Sequence, residues 1–292
     1  MAQALALLQH KIKIAKDLRE VVDTMKTMAA VNIGIYEKVD RSLAEYNQVI
    51  ELGLRAALQK YPEWLAPNPQ TGSAGEGVIV FGSDQGMVGQ FNDYLSNKVL
   101  ELLADSANAK IWCVGERVGQ KLLDKQAIQQ LYRTPDSAVG IAAVAGSLLL
   151  KVVEQQEEET IGRLLVCYNK PTSGSGYEPI VKQLLPVSSE WLENLTKMPW
   201  PTKTIPQVIE KNSEAVATFI REYLFINICW ACAESLVSEN IGRLAAMQRA
   251  EKNIDELLAE FTISYNQERQ SSITEELFDI IFGYDVLKSG AN

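Results

Sequence analysis

Proline is missing from residues 1–61 and from residues 207–292; all ten prolines fall between Pro62 and Pro206. Proline removes a backbone donor and clashes with the preceding helical turn, so its absence leaves both ends of the chain free to form long helices around a different middle. Histidine is nearly absent too. His10 stands alone, with no cysteine or carboxylate constellation, and this argues against a histidine-based catalytic or metal centre. The four cysteines, Cys113, Cys167, Cys229 and Cys232, are too few to staple a chain of 292 residues. Cys229 and Cys232 form a C-x-x-C, but inside an uninterrupted helical pattern rather than at a helix N-terminus that would activate a thiol. No second pair with ligand spacing accompanies it, so a packing role is predicted. A basic excess is lacking as well: the net charge is −9, which disfavours nucleic acid and anionic lipid as partners. The longest apolar run, "VGIAAVAGSLLLKVV", falls short of the roughly 20 residues a membrane helix needs, so no span is expected. The start, "MAQALALLQHKIKIAK", lacks the n-region and cleavage pattern of a signal peptide, which suggests a mature chain in a cytoplasm-like compartment.

What is present is ordinary globular material, 47% hydrophobic and 22% charged, enough to bury a core in one or two domains. In the first segment Leu5, Leu8, Ile12, Ala15, Leu18, Val22, Met25 and Ala29 recur at steps of three and four, the seam of a coiled coil. Leu244, Met247, Ile254, Leu258, Phe261 and Tyr265 repeat that stripe near the other end, with Arg249, Lys252, Glu256 and Glu260 on other faces. The two stripes are predicted to pair. A helix from about Pro206 to Leu287 would be on the order of 120 Å long, more than a compact domain covers, so part of it is expected to project.

The middle reads as α/β. "GVIVFGS" is a buried-strand pattern ending in a glycine turn, "NDYLSNKVLELLADSA" is amphipathic at helical spacing, and "AKIWCVG" followed by "ERVGQKLLDKQ" repeats the order. Alternating strand and helix predicts a parallel sheet, a Rossmann-like domain over 77–200 between helices 1–60 and 206–288. "GRLLVCYNKPTSGSGYEPIVKQLLPV" adds two strands close enough for a hairpin at the sheet edge. The loop "GSDQGMVGQFN" follows a strand, as phosphate-cradling loops do, but lacks both the G-x-G-x-x-G and the Walker lysine. Gly82, Gly86 and Gly89 are therefore assigned to a tight strand-to-helix connection. The glutamates of "QQEEET", residues 155–160, point different ways on a helix and do not converge on one ion. No cofactor or metal is expected, and no nucleophile–base pair is visible.

The segment "AESLVSENIGRLAAMQRAEKNIDELLAEFTISYNQERQSSITEEL" closely resembles the C-terminal helix of the gamma subunit of F-type ATP synthases. The resemblance lies in S-E-x-x-x-R-x-x-A-M followed by Y-N-x-x-R-Q-x-x-I-T-x-E. "KIKIAKDLREVVDTMKTMAA" is similar to the family's N-terminal helix and "FGSDQGMVGQFN" to its loop after the first strand. The chain departs from the pattern where Val31, Asn32, Ile33 and Gly34 replace basic residues, where Gln85 replaces an arginine, and where "GMVGQFN" stands for G-L-C-G-G-F-N. The cysteine-bearing insertion of photosynthetic gamma subunits is missing, so thiol control is not implied.

The resemblance implies an antiparallel shaft inside a hexamer of alpha and beta subunits, with an epsilon subunit and a membrane c-ring as further partners, at the cytoplasmic face of a membrane. It implies no catalytic site in this chain. Contacts to the catalytic subunit's catch loop carry over to Arg243, Arg269, Gln270 and Thr274. Leu277, Ile280, Ile281, Phe282, Val286 and Leu287 become a tip that bears on the hexamer's collar, an apolar surface too large to be idle. Two other readings stay open: a nucleotide-binding α/β enzyme with a helical oligomerisation stalk, and a non-rotary inhibitor or assembly paralogue.

Overall fold

The computed structural model describes residues 2–65, 75–104, 109–123, 128–173, 176–204, 206–209 and 214–289, with side chains described from residue 3 to residue 282. The chain divides into two compact units, residues 29–245 and the pair of segments 1–28 and 246–292.

The larger unit is built on a five-stranded sheet of order β3-β2-β1-β4-β5. The strands are β1 Gly75–Phe81, β2 Lys110–Val114, β3 Ile128–Tyr132, β4 Ile161–Pro171 and β5 Tyr177–Leu185. The first four run parallel, and β5 closes the edge as the antiparallel partner of β4. Strand β3, at the other edge, went unrecognised in the sequence because "IQQLY" is largely exposed and carries no apolar run.

Alternation along the strands sorts the core into two layers, since successive side chains point to opposite faces. Val78, Val80, Ile111, Cys113, Leu165 and Cys167 meet Leu95, Val99, Val118 and Leu122 of helices α2 Phe91–Leu102 and α3 Glu116–Leu123. On the other face Ile79, Phe81, Trp112, Val114, Leu164 and Val166 meet helix α4 Ala138–Glu157 and the C-terminal helix, which is α6 Glu214–Ser289 after the short α5 Ser189–Lys197.

Helix α4 corrects the sequence reading of its apolar run. It extends to 20 residues, its N-terminus capped by Ser137, whose Oγ accepts from the Gly140 N–H. Helix α4 and the described α6 stretch 214–282 are each long and apolar enough by composition to cross a membrane. Packing buries 28% of that apolar window in α4 and 50% in α6. Ile141, Ala145, Leu148 and Val152 bury one stripe of α4 on the sheet, each large side chain contributing roughly 1.5–3 kcal/mol.

Helix α6 is buried on all sides over residues 231–240. Within this unit it lies between the sheet and the second half of the N-terminal helix α1 Ala2–Lys60, the Asp40 carboxylate accepting from Trp230 Nε1–H at 2.5 Å. A third cluster joins Leu54, Ala57 and Leu58 of α1 to Leu192 and Leu195 of α5 and to Val216 of α6.

In the smaller unit α1 and α6 pair antiparallel. Gln9 donates to the Tyr265 hydroxyl at 2.8 Å, Lys11 sits 5.5 Å over the Phe261 ring, Arg19 pairs with Asp255 at 2.8 Å and Lys26 with Glu251 at 2.7 Å. The helical seam on α6 follows the stripe read from the sequence. On α1 one residue differs: Leu18 is 52% exposed, and Arg19 takes the seam position with its ion pair across the helices. Leu18 belongs instead to a second stripe with Leu7, Ile14, Val21 and Met28, also exposed and also at steps of three, four and seven. Two apolar faces share one helix, and periodicity alone does not say which is the seam.

Candidate functional site

The neighbours β1 and β4 form the point where strand order reverses, the crevice in which open α/β sheets take their ligands. Here that crevice is filled by the chain itself. Ser235 of α6 donates through Oγ to the carbonyl of Phe81, the last residue of β1, at 2.9 Å. Ser238 donates to the Asn169 carbonyl at 2.8 Å, one residue past the final β1–β4 pair, Phe81 with Tyr168. Beside them the Tyr168 hydroxyl donates to Glu234 at 2.6 Å, and Lys170 pairs with the same carboxylate at 3.3 Å. Burial and the facing Glu234 carboxylate push the Tyr168 hydroxyl far up from its ordinary range, which keeps it a donor.

The loop after β1 is likewise occupied from within. Asn92 accepts from the Ser83 N–H at 3.1 Å and donates to its hydroxyl at 2.8 Å. The Asp84 carboxylate accepts from Glu116 N–H at the start of α3 and from the N–H and hydroxyl of Thr134, each at 2.9 Å. A side-chain anion thus sits at the N-terminus of α3.

The three glycines of this loop have unlike surroundings. A Cβ on Gly82 would lie 2.3 Å from Val118 Cγ1. Gly89 has φ +64°, and Met87 beside it φ +60°. Among the described residues a Cβ on Gly86 would meet nothing within 4 Å, and its backbone does not take a positive φ, so the steric role expected from the sequence does not apply there. The tight connection arises at its two ends.

The four cysteines are buried. Desolvation pushes the thiols of Cys113, Cys167 and Cys229 up to about 12, and that of Cys232 up as well. Among the described residues no group of three or more metal-ligating side chains gathers.

A family model described as ATP synthase matches residues 4–287. The chain belongs to the gamma-subunit family of ATP synthases. It is 28% identical over 298 residues to the ATP synthase gamma chain of Brevibacillus brevis, covering 97% of this chain and 98% of that one. It is 25% identical over 303 residues to the ATP synthase gamma chain of Streptococcus pneumoniae, covering 99% and 100%. Among solved structures, a chain of the Euglena gracilis mitochondrial ATP synthase OSCP/F1/c-ring assembly shares the fold at TM-score 0.67 and 17% identity, covering 100% of this chain and 97% of that one. A central stalk/c-ring structure from Tetrahymena thermophila shares it at TM-score 0.56 and 17% identity, covering 79% and 99%.

The residues expected from the resemblance to make contacts fall into two groups. Arg269, Gln270 and Thr274 lie exposed on α6, the Thr274 hydroxyl turned back onto the Gln270 carbonyl at 2.8 Å. Arg243 is different. Its side chain is 12% exposed and its Nη2 pairs with Glu239 at 2.6 Å, while its Nε has no hydrogen-bond partner among the described residues. Burial raises the Glu239 carboxyl above its ordinary range against the pull of Arg243, so releasing that guanidinium to another chain would leave a buried acid without its counterion.

Of the tip residues, Leu277, Ile280, Ile281 and Phe282 are all exposed; the side chains of Val286 and Leu287 lie outside the described residues. With Gln9 opposite Tyr265, the first residue of α1 falls roughly level with Ser272, and α6 runs on to Ser289. The Ser235, Ser238 and Asp84 contacts escaped the sequence reading. The one signal for them was a pair of serines in the most apolar stretch of a helix.

Proposed function

We propose that this chain is the central rotor shaft of an F-type ATP synthase, coupling ion flow through a membrane c-ring to ATP synthesis or hydrolysis in a hexamer of alpha and beta subunits. The observation that carries this reading is the family match over residues 4–287, which takes in both long helices and the sheet between them. The segments 1–60 and 206–288 act as the shaft and 77–200 as the α/β body. The shaft works by shape. An asymmetric pair of helices presents a different face to each catalytic subunit, and each subunit's affinity for ADP and ATP follows the face it meets. The chain supplies no catalytic centre and joins the cytoplasmic side of the membrane through the complex, with the epsilon subunit and the c-ring as further neighbours.

Arg269 and Gln270 present a guanidinium and an amide to whatever surrounds α6, donors suited to carboxylates and carbonyls on a catch loop. The nucleotide-enzyme alternative is disfavoured by a switch-point crevice filled with serine hydroxyls and a loop in which Asn92 already accepts from the Ser83 N–H.

The test is a complex reconstituted with this chain, assayed for ATP-driven ion pumping. Arg269→Ala and Gln270→Ala should each impair coupled turnover with the chain still folded, a charge-assisted contact being worth roughly 1.5–3 kcal/mol. Wild-type rates from both variants would remove the contact assignment. A wild-type complex that assembles without rotating would instead favour the inhibitor or assembly paralogue.

A further inference from the structure

We infer that Ser235, Ser238 and Gly242 form a register pin that fixes the rotational angle of α6 against the sheet, so that twist is passed between them without slip. This rests on the rotor reading above. It starts from a departure in how hydroxyls behave along these helices. A serine or threonine inside a helix ordinarily donates back to the carbonyl four residues earlier. Thr24, Thr27, Ser147, Thr262 and Thr274 all do so in this chain. Ser235 and Ser238 instead leave their own helix and donate across to the ends of β1 and β4.

Both serines are buried, and Asn169, whose carbonyl receives Ser238, is fully so. Asn169 also donates through Nδ2 to the Phe91 carbonyl at 3.0 Å, tying that strand end to the start of α2. Residues 235, 238 and 242 follow each other at steps of three and four and therefore share one helical face. Gly242 completes it. A Cβ there would stand 2.9 Å from the Val88 carbonyl and 3.0 Å from the Tyr177 ring, so the loop after β1 closes on bare helix backbone. The Glu234–Tyr168 bond flanks the same face at 2.6 Å.

Apolar packing around this face is extensive but non-directional, and a helix surface offers neighbouring ridges and grooves of similar fit. It resists separation better than rotation. Two hydroxyls aimed at single carbonyls in a buried crevice are directional, and turning α6 by one ridge would strip both buried hydroxyls of their acceptors. The three residues are positioning residues. They touch no substrate.

The test uses the assembled complex with the hexamer immobilised and a probe on the α/β part of this chain, reading angular fluctuation and ions pumped per ATP hydrolysed. The double variant Ser235→Ala, Ser238→Ala should raise angular variance above wild type, because two directional contacts are gone, and should lower the pumping ratio while ATP hydrolysis persists. Ser147→Ala, which removes a back-bonded hydroxyl from α4, should change neither. A purely structural role would lower melting temperature and leave variance and pumping ratio in the folded complex as in wild type; that result overturns the pin. Should the double variant fail to assemble, the two single variants decide in the same way. Failure of the wild-type complex to rotate would strike the rotor reading itself, before any variant is compared.

Discussion

At Gly82 and Gly86 two residues of one type, four positions apart, have opposite steric standing. An alanine at 82 must displace Val118, whose Cγ1 would lie 2.3 Å from the new methyl, in a core layer that also holds Val78 and Leu95. Gly82→Ala is expected to cost about 1–3 kcal/mol, the usual penalty of overpacking. Gly86→Ala meets open space and should stay within about 0.5 kcal/mol of wild type. Urea unfolding of the two variants checks both. The thiols make a second residue-scale case. Burial holds Cys113, Cys167 and Cys229 protonated up to about 12, and only a thiolate attacks a disulfide reagent. At pH 8 the native chain should leave an aromatic disulfide reagent unreacted, and in urea all four thiols should titrate. Rapid native reaction would place at least one cysteine at the surface.

At the scale of elements, α6 changes character along its length. From 231 to 240 every residue is buried and the helix is a core element. Beyond Met247 it keeps one seam toward α1 and exposes the rest, and from Ile273 to Phe282 every residue is exposed. In the proposed rotor role, the polar belt around Arg269 and Gln270 would let α6 touch neighbours without binding any of them permanently. The tip reverses that chemistry: Phe278 and Phe282 place their rings 6.4 Å apart, with Leu277, Ile280 and Ile281 also exposed. A single helix without a partner frays because most helical stability comes from packing rather than propensity. Amide exchange over 277–287 should be fast in the free chain and slowed once alpha and beta subunits are added. Equal protection in both would mean that the tip folds onto its own chain, leaving the bearing role without support.

For the molecule as a whole, the long helices, the coiled-coil seam on α6, the parallel βα repeats and the edge hairpin were legible in the sequence. Each depends on neighbours a few residues apart: proline absence, periods of two or three to four, and turn residues between apolar runs. The family pattern was legible for the same reason, since its spacings lie along one helix. What the sequence alone left undecided depends on partners far along the chain. Ser238 meets Asn169 across 69 residues, Ser235 meets Phe81 across 154, and Asp84 meets Thr134 across 50. Those pairings exist because strand order puts β4 on one side of β1 and β2 and β3 on the other, and no local period encodes strand order. The same holds for Leu18, which has the spacing of a seam residue and stands on the exposed stripe, and for Arg243, which has the chemistry of a contact residue and is held by Glu239. Local periodicity determined which elements form. The tertiary structure decided which of their faces meet, because burial and hydrogen-bond partners are set by the elements packed alongside.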